Sequence, residues 1–399
     1  MELLAPAGNF EKLRYALAYG ADAVYAAGRD YGLRAHSGNF EKEELKSAVE
    51  YVHRFGKKIY ITINIYAHNR DLTDLPEYLQ YLASLQVDAL IISDPAIFSF
   101  ARQYAPELPI HISTQANVTS WSAVKFWQEL GARRIILARE LSLAEISEIR
   151  ARVPGMELEM FVQGAMCMSY SGRCLLSAYL TGRSANQGDC SQPCRWEYNL
   201  QERTRPGEIF TVEEDRRGTY IFNSRDLNLI SRLPEIKAAG VNSLKIEGRM
   251  KSLYYVANVT RTWREAITDV EKNIPVAEEL KAELEKVSHR VYCEGFADGL
   301  DSLQTQHHES SAYIRNEQYL GVITAYEKGR LHVKVKAKFS LSEEIELIFP
   351  QREFDKKITV NEIFDEENKR ISFTKPNTEI TLAIEGKFPV FGIIRKKIR

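Results

Sequence analysis

Cysteine is scarce in this chain, with five residues in 399. An excess of either charge is missing too: 53 Lys and Arg face 54 Asp and Glu, a formal net charge of -1 at pH 7. That balance names no partner class and still leaves room for a local basic patch that meets RNA. No run approaches the ~18 apolar residues of a transmembrane helix. The opening stretch MELLAPAGNFEKL has neither the basic start nor the long apolar run of a secretory leader. A cytoplasmic location is therefore expected. There disulfides are disfavoured, and clustered cysteines more often bind metal or act in catalysis. GxGxxG is absent after the first predicted strand, and HExxH and GxSxG are absent throughout. A dinucleotide site, a zinc protease and a nucleophile-elbow hydrolase thus lack support.

What is present begins with alternation. Eight apolar runs read as strands buried on both faces: ELLAP from Glu2, ADAVYA from Ala21, KIYITINIY from Lys58, DALIIS from Asp88, PIHIST from Pro109, RRIILA from Arg133, ELEMFVQG from Glu157 and NSLKIEG from Asn242. Amphipathic stretches lie between them. NFEKLRYALAYG opens on Asn9, a good N-cap, and closes on Gly20; EKEELKSAVEYVHRFG closes on Gly56. SWSAVKFWQELG and SLAEISEIRARV follow, and Ser142 with Glu145 has the spacing of a capping box. Eight strands alternating with helices predict an α/β fold, a (β/α)8 TIM-like barrel, over residues 1–300. After about residue 301 the texture changes to short alternating strands with turn residues. This predicts a small all-β barrel domain over 301–399.

The alternation breaks once, over about 164–241, as an insertion after the seventh strand. Within it RWEYNLQE and TYIFNSRDL read as a hairpin. Long loops after barrel strands form the active face. This one holds Cys167, Cys174, Cys190 and Cys194, separated by six, fifteen and three residues. Four soft thiolates suit tetrahedral zinc or an iron–sulfur cluster. The Cys-x-x-Cys knuckle of structural zinc is missing, and no histidine stands in the loop to activate a nucleophile. Unrelated thiols are the bland alternative. Cys293 stands far off and reads as a packed free thiol.

The stretch ELEMFVQGAMCMSYSGRCLLS resembles the signature of the U32 peptidase family, called collagenase-like. The match runs through Glu159, Phe161, Gly164, Ala165, Met166, Cys167, Gly172, Cys174 and Ser177. ELLAPAGN, GADAVY, FNSRDL and LKIEGRMKS extend the resemblance over nearly the whole chain. It implies a [4Fe-4S] cluster on Cys167, Cys174, Cys190 and Cys194, with zinc as the alternative. The family members it looks most like hydroxylate the wobble uridine of tRNA at C5, with prephenate as co-substrate. Gln163 is a departure, because many relatives carry histidine there.

Near the strand ends stand Glu159, Lys245, Glu247 and Arg249, and Arg225 beside Asp226 in the insertion. Guanidinium groups bind carboxylates in two-pronged fashion. Arg225 and Arg249 are therefore expected to clamp a dicarboxylate such as prephenate. Their plain alternative is a pair of rim ion pairs, Arg249–Glu247 and Arg225–Asp226. Asn64, His111 and Gln115 are candidates for reading a base edge, and Tyr170 and Arg173 for stacking or phosphate contact. The basic IIRKKIR end is a further candidate for RNA contact. Three functions follow: a tRNA hydroxylase, a peptidase, or a zinc-braced RNA-binding protein without catalysis.

Overall fold

The computed structural model describes residues 1–29, 31–32, 39–167, 169–193, 196, 200–201, 209–210, 214–215, 218–219, 225–299 and 313–398. Seven parallel strands come first: β1 Glu2–Pro6, β2 Ala23–Ala26, β3 Lys58–Ile63, β4 Ala89–Ile92, β5 Ile110–Ile112, β6 Arg134–Ile136 and β7 Glu157–Ala165. Near the end of the expected insertion comes β8 Asp226–Asn228, and after it β9 Ser243–Ile246. β9 pairs in parallel with β1 on one side and β7 on the other, which closes an eight-stranded barrel. The predicted barrel is present. Strand residues such as Val24, Ile61, Leu90 and Ile135 are fully buried, as both-face burial requires.

Helices α1 Phe10–Ala18, α2 Lys42–Arg54, α3 Leu75–Ser84, α4 Pro95–Tyr104, α5 Trp121–Glu129 and α6 Leu143–Arg152 return the chain between strands. Their starts are set by side chains that satisfy orphan N–H groups. Asn9 accepts from the Lys12 N–H and Asp94 from Ala96 and Ile97. Ser142 and Glu145 form the expected capping box. α7 Leu176–Thr181 lies in the insertion, and α8 Leu233–Ala238 precedes β9. α9 Leu253–Glu271 and α10 Glu278–Leu284 follow β9.

β7 is the longest barrel strand, with nine residues. Its pairing with β6 ends at Glu159, and its last three residues, Gln163–Ala165, pair antiparallel with β8. Gly164 makes this crossing possible: its φ is +111°, and a Cβ there would lie 2.5 Å from the Glu247 carbonyl oxygen. Most of the hairpin expected within the insertion falls outside the described residues.

The C-terminal residues form one eight-stranded antiparallel sheet, a half-barrel with Lys356–Thr359 and Arg370–Ile371 at its edges. It encloses its own core of Leu320, Ile323, Leu331, Val335, Phe339 and Leu347. It also packs on the barrel: Val322, Ile348 and Ile393 belong to the barrel's core. The Tyr19 hydroxyl donates to the carbonyls of Ile348 and Phe391.

Candidate active site

A cavity of about 360 Å³ opens at the C-terminal ends of the barrel strands. Its walls come from the strand ends, from the Glu247–Lys251 turn after β9, and from the cysteine loop. Cys167, Cys174 and Cys190 all line it. Cys194 lies outside the described residues; its neighbour Pro193 is in the lining.

The loop is folded by turns that few residues tolerate. Ser171, Gly182, Gly188 and Gln192 all have positive φ, and they reverse the chain repeatedly around the cavity mouth. Hydrogen bonds within the loop and to the barrel hold it. Glu140 accepts hydrogen bonds from the Ser171 N–H and hydroxyl, both at 2.6 Å. Ser177, fully buried, donates to the Arg183 carbonyl at 2.7 Å, accepts from the Ser191 N–H at 3.0 Å and meets the Ser191 hydroxyl at 2.9 Å. It thereby ties the helix after Cys174 to the turn after Cys190. The Gln192 N–H donates to the Cys190 sulfur at 3.4 Å.

The donor set fits a thiophilic group in kind: three thiols on one cavity, none in a disulfide, two half-buried and one exposed. Among the described residues, no three potential ligands are gathered closely enough to hold an ion. Cys293 is buried elsewhere, and burial raises its thiol pKa.

Among the described residues, five cationic side chains line the same cavity, Arg139, Lys245, Arg249, Lys251 and Arg290, against the single carboxylate of Glu247. Arg139 donates to the Ala165 carbonyl at 2.9 Å, lies over the Phe161 ring at 4.0 Å and stands 3.9 Å from Glu247. Arg249 is 4% exposed; it donates to Thr62 at 3.3 Å and to Asn39. Asn64 donates to Gln115 at 3.1 Å, and both amides face the cavity wall.

Lys245 stands where the cavity meets the barrel interior. Its ammonium bonds Glu159 at 3.0 Å, and the other Glu159 oxygen takes Arg134 at 3.0 Å. Arg134 continues to Glu157 at 2.8 Å and to Glu2 at 2.5 Å. Burial pushes the Lys245 pKa below its ordinary value, although Glu159 pulls it back up.

The structure therefore brings together Cys167, Cys174, Cys190, Lys245, Glu247 and Arg249. It does not bring in Glu159, which is fully buried as the counter-ion of Lys245, nor Arg225, which is outside the lining. The expected clamp of Arg225 with Arg249 is thus not assembled on this wall. The rim ion pairs differ from the simple sequence neighbours. Asp226 takes Arg290 at 2.8 Å and Lys251 at 3.6 Å, while Glu247 stands 3.9 Å from Arg139. Arg173 is spoken for: its Nε donates to the Tyr66 hydroxyl at 2.6 Å and the Gln115 carbonyl at 3.0 Å. Gln163 is buried, and its carbonyl accepts from the Trp263 indole at 3.2 Å. Arg139, which follows β6, and Lys251 and Arg290 join the residues expected on this wall. The signal for Lys251 was the basic GRMK turn after β9; Arg290 had none.

The profile of peptidase family U32 matches residues 8–307, and that of the family's C-terminal domain matches residues 315–395. The tRNA hydroxylation protein P of Escherichia coli (strain K12) is 43% identical over 391 residues, covering 88% of this chain and 86% of that protein. A tRNA hydroxylation protein of Bacillus subtilis (strain 168) is 38% identical over 402 residues, covering 99% and 94%. A 23S rRNA 5-hydroxycytidine synthase of Escherichia coli is 36% identical over 267 residues, covering 67% of this chain and 39% of that protein.

Proposed function

The chain belongs to peptidase family U32, and from that premise we propose that it is a tRNA-modifying hydroxylase acting at C5 of the wobble uridine. The observation that carries this reading is one cavity on the active face of a barrel, walled jointly by three thiols and five cations. The names of its relatives support RNA hydroxylation.

In this reading Cys167, Cys174 and Cys190, with Cys194, hold a [4Fe-4S] cluster. Bound there, such a cluster supplies electron transfer and a local charge that the surrounding cations offset. Arg139, Lys245 and Arg249 bind the carboxylates of a prephenate-like co-substrate, since guanidinium and ammonium groups are the natural partners of such anions. This reassigns to Arg139 the part first given to Arg225. Lys245 keeps its orientation through Glu159. Asn64 and Gln115 present amides of the kind that pair with O4 and N3–H of uracil. The buried Ile91 and Ile136 at the cavity base keep bulk water out.

A peptidase receives no support from the same wall. Among the described residues no histidine lines the cavity, and the Ser171 hydroxyl there is committed to Glu140. Among the described residues a Ser–His or Cys–His pair is not assembled on this wall.

The test is anaerobic purification followed by iron, sulfide and zinc analysis, then incubation with unmodified tRNA and prephenate. The expected result is about four irons and four sulfides per chain. A gain of one oxygen atom on the wobble uridine should accompany it, read by nucleoside mass spectrometry. A single zinc with no iron, or tRNA unchanged by iron-loaded protein, overturns the proposal.

A further inference from the structure

Beside the cavity, the cysteine loop and the turn after β9 expose large apolar side chains. Tyr179 is 85% exposed, Leu175 75%, Met250 56% and Tyr170 52%. Single exposed apolar residues are common, but several on the segments that wall one cavity point to an interaction site. Each of these four lines the cavity or is tied to a residue that does. Met250 is in the lining; Leu175 follows Cys174, and Tyr170 stands between Ser169 and Ser171. Tyr179 is four residues beyond Leu175 across a helical hydrogen bond of 2.8 Å from its N–H to the Leu175 carbonyl, so the two share one face. The opposite face is fixed inward by Ser177. The helix is thus held so that its apolar side faces solvent.

The cavity reaches down to Thr62, Ile91 and Ile136, residues of the barrel strands themselves. A base inside a stacked helix cannot reach such a depth, so the target must leave its stack. Its neighbours then lose a stacking partner, and aromatic side chains replace one without regard to base identity.

We infer that the substrate nucleotide enters this cavity extruded from an unpaired RNA loop, and that Tyr179, with Leu175 and Tyr170, forms the platform on which the flanking bases stack. The inference rests on the RNA-hydroxylase reading above and adds the mode of presentation to it. Tyr179 and Tyr170 are positioning residues in this role.

The test uses the full chain and a tRNA transcript with uridine at the wobble position. Binding is read by fluorescence anisotropy, and extrusion by 2-aminopurine in place of the wobble base. The wild type should brighten the probe on binding. Tyr179→Ala should bind about tenfold more weakly, while Tyr179→Phe, which keeps the ring, should bind nearly as the wild type. Thermal melting should be unchanged in both, since the side chain is exposed. A dark probe overturns the inference. So do unchanged affinities in Tyr179→Ala and Tyr170→Ala, or a dimer in sedimentation that Tyr179→Ala dissolves. If the wild type hydroxylates tRNA while these variants match it, only the platform falls. If the wild type neither binds nor modifies tRNA, the function itself falls with it.

Discussion

His111, on β5, is 3% exposed, its ring edge-on to Tyr60 at 4.7 Å between centroids. Burial drives its pKa well below 6.5, and the charges of Arg134, Lys245, Lys58 and Arg133 add to the effect. Above pH 6.5 the imidazole is neutral in both folded and unfolded chains. Below it the unfolded chain takes up a proton that the folded chain refuses. Stability should fall by about 1 kcal/mol between pH 6.5 and 5.5, and by about 1.4 kcal/mol for each further pH unit. Urea unfolding at pH 6.5 and 5.5 should show this loss in the wild type and its absence in His111→Gln. Equal losses in the two proteins would remove His111 as the cause. The same residue shows what was legible. That a lone histidine on an apolar strand belongs to the core could be read from its neighbours in the chain. So could one of the two readings open for Glu159, a buried polar partner to Lys245 on another strand 86 positions away, and barrel closure brings the two to 3.0 Å. The cysteines were legible because their crowding is local.

Elements were legible where their caps are strong. The Ser142 capping box and the Asn9 cap appear as expected. α3 and α4 were passed over, although α4 has the plain signature of Asp94 followed by proline at the first turn. The antiparallel pairing of β8 with β7 had no signal, because a three-residue strand carries too little pattern. Within the cysteine loop, Ser177 matches the family signature for a structural reason: it joins the segments that follow Cys174 and Cys190. Ser177→Ala removes this junction and leaves the Ser191 N–H and the Arg183 carbonyl without it. Cys174 and Cys190 should then react several-fold faster with a thiol reagent in metal-free protein. The barrel should lose only about 1–3 kcal/mol. Unchanged thiol rates would show that the loop holds its shape without Ser177.

Across the whole molecule, the two domains meet through charges as well as apolar side chains. Arg395, 1% exposed, reaches Glu283 at 2.5 Å, Glu346 at 2.8 Å and the Tyr254 hydroxyl at 3.0 Å. Arg261, 2% exposed, bonds Asp355 at 2.9 Å and the Phe349 carbonyl at 2.7 Å. Removing one member of a buried pair strands the other, a loss of about 3–5 kcal/mol. Lys286 also reaches Glu283, at 2.7 Å, which places Arg395→Ala near the lower end. Calorimetry should show one unfolding transition for the wild type, because the sheet's Val322, Ile348 and Ile393 belong to the barrel's core. Arg395→Ala should lower it and split it in two. A single transition at the original temperature would show that the apolar contact alone joins the domains. Texture in the sequence announced the second domain. Its docking on α9 and α10 was not announced, since Arg395 reads there as part of a basic tail.

Ala165 and Asp226 are register partners across β7 and β8. The roughly sixty residues between them therefore leave and re-enter the barrel at a single point, as a hairpin does, however long the excursion. Doubling the length of such an excursion adds only about 0.6 kcal/mol to its closure. The register of the barrel strands is set without regard to the length of what hangs from that gate. In evolutionary terms the thiol-bearing segment is an exchangeable cartridge: it can lengthen, shorten or be replaced while the scaffold below keeps its register. A lineage can thus change the chemistry or the guest of this fold without refounding it.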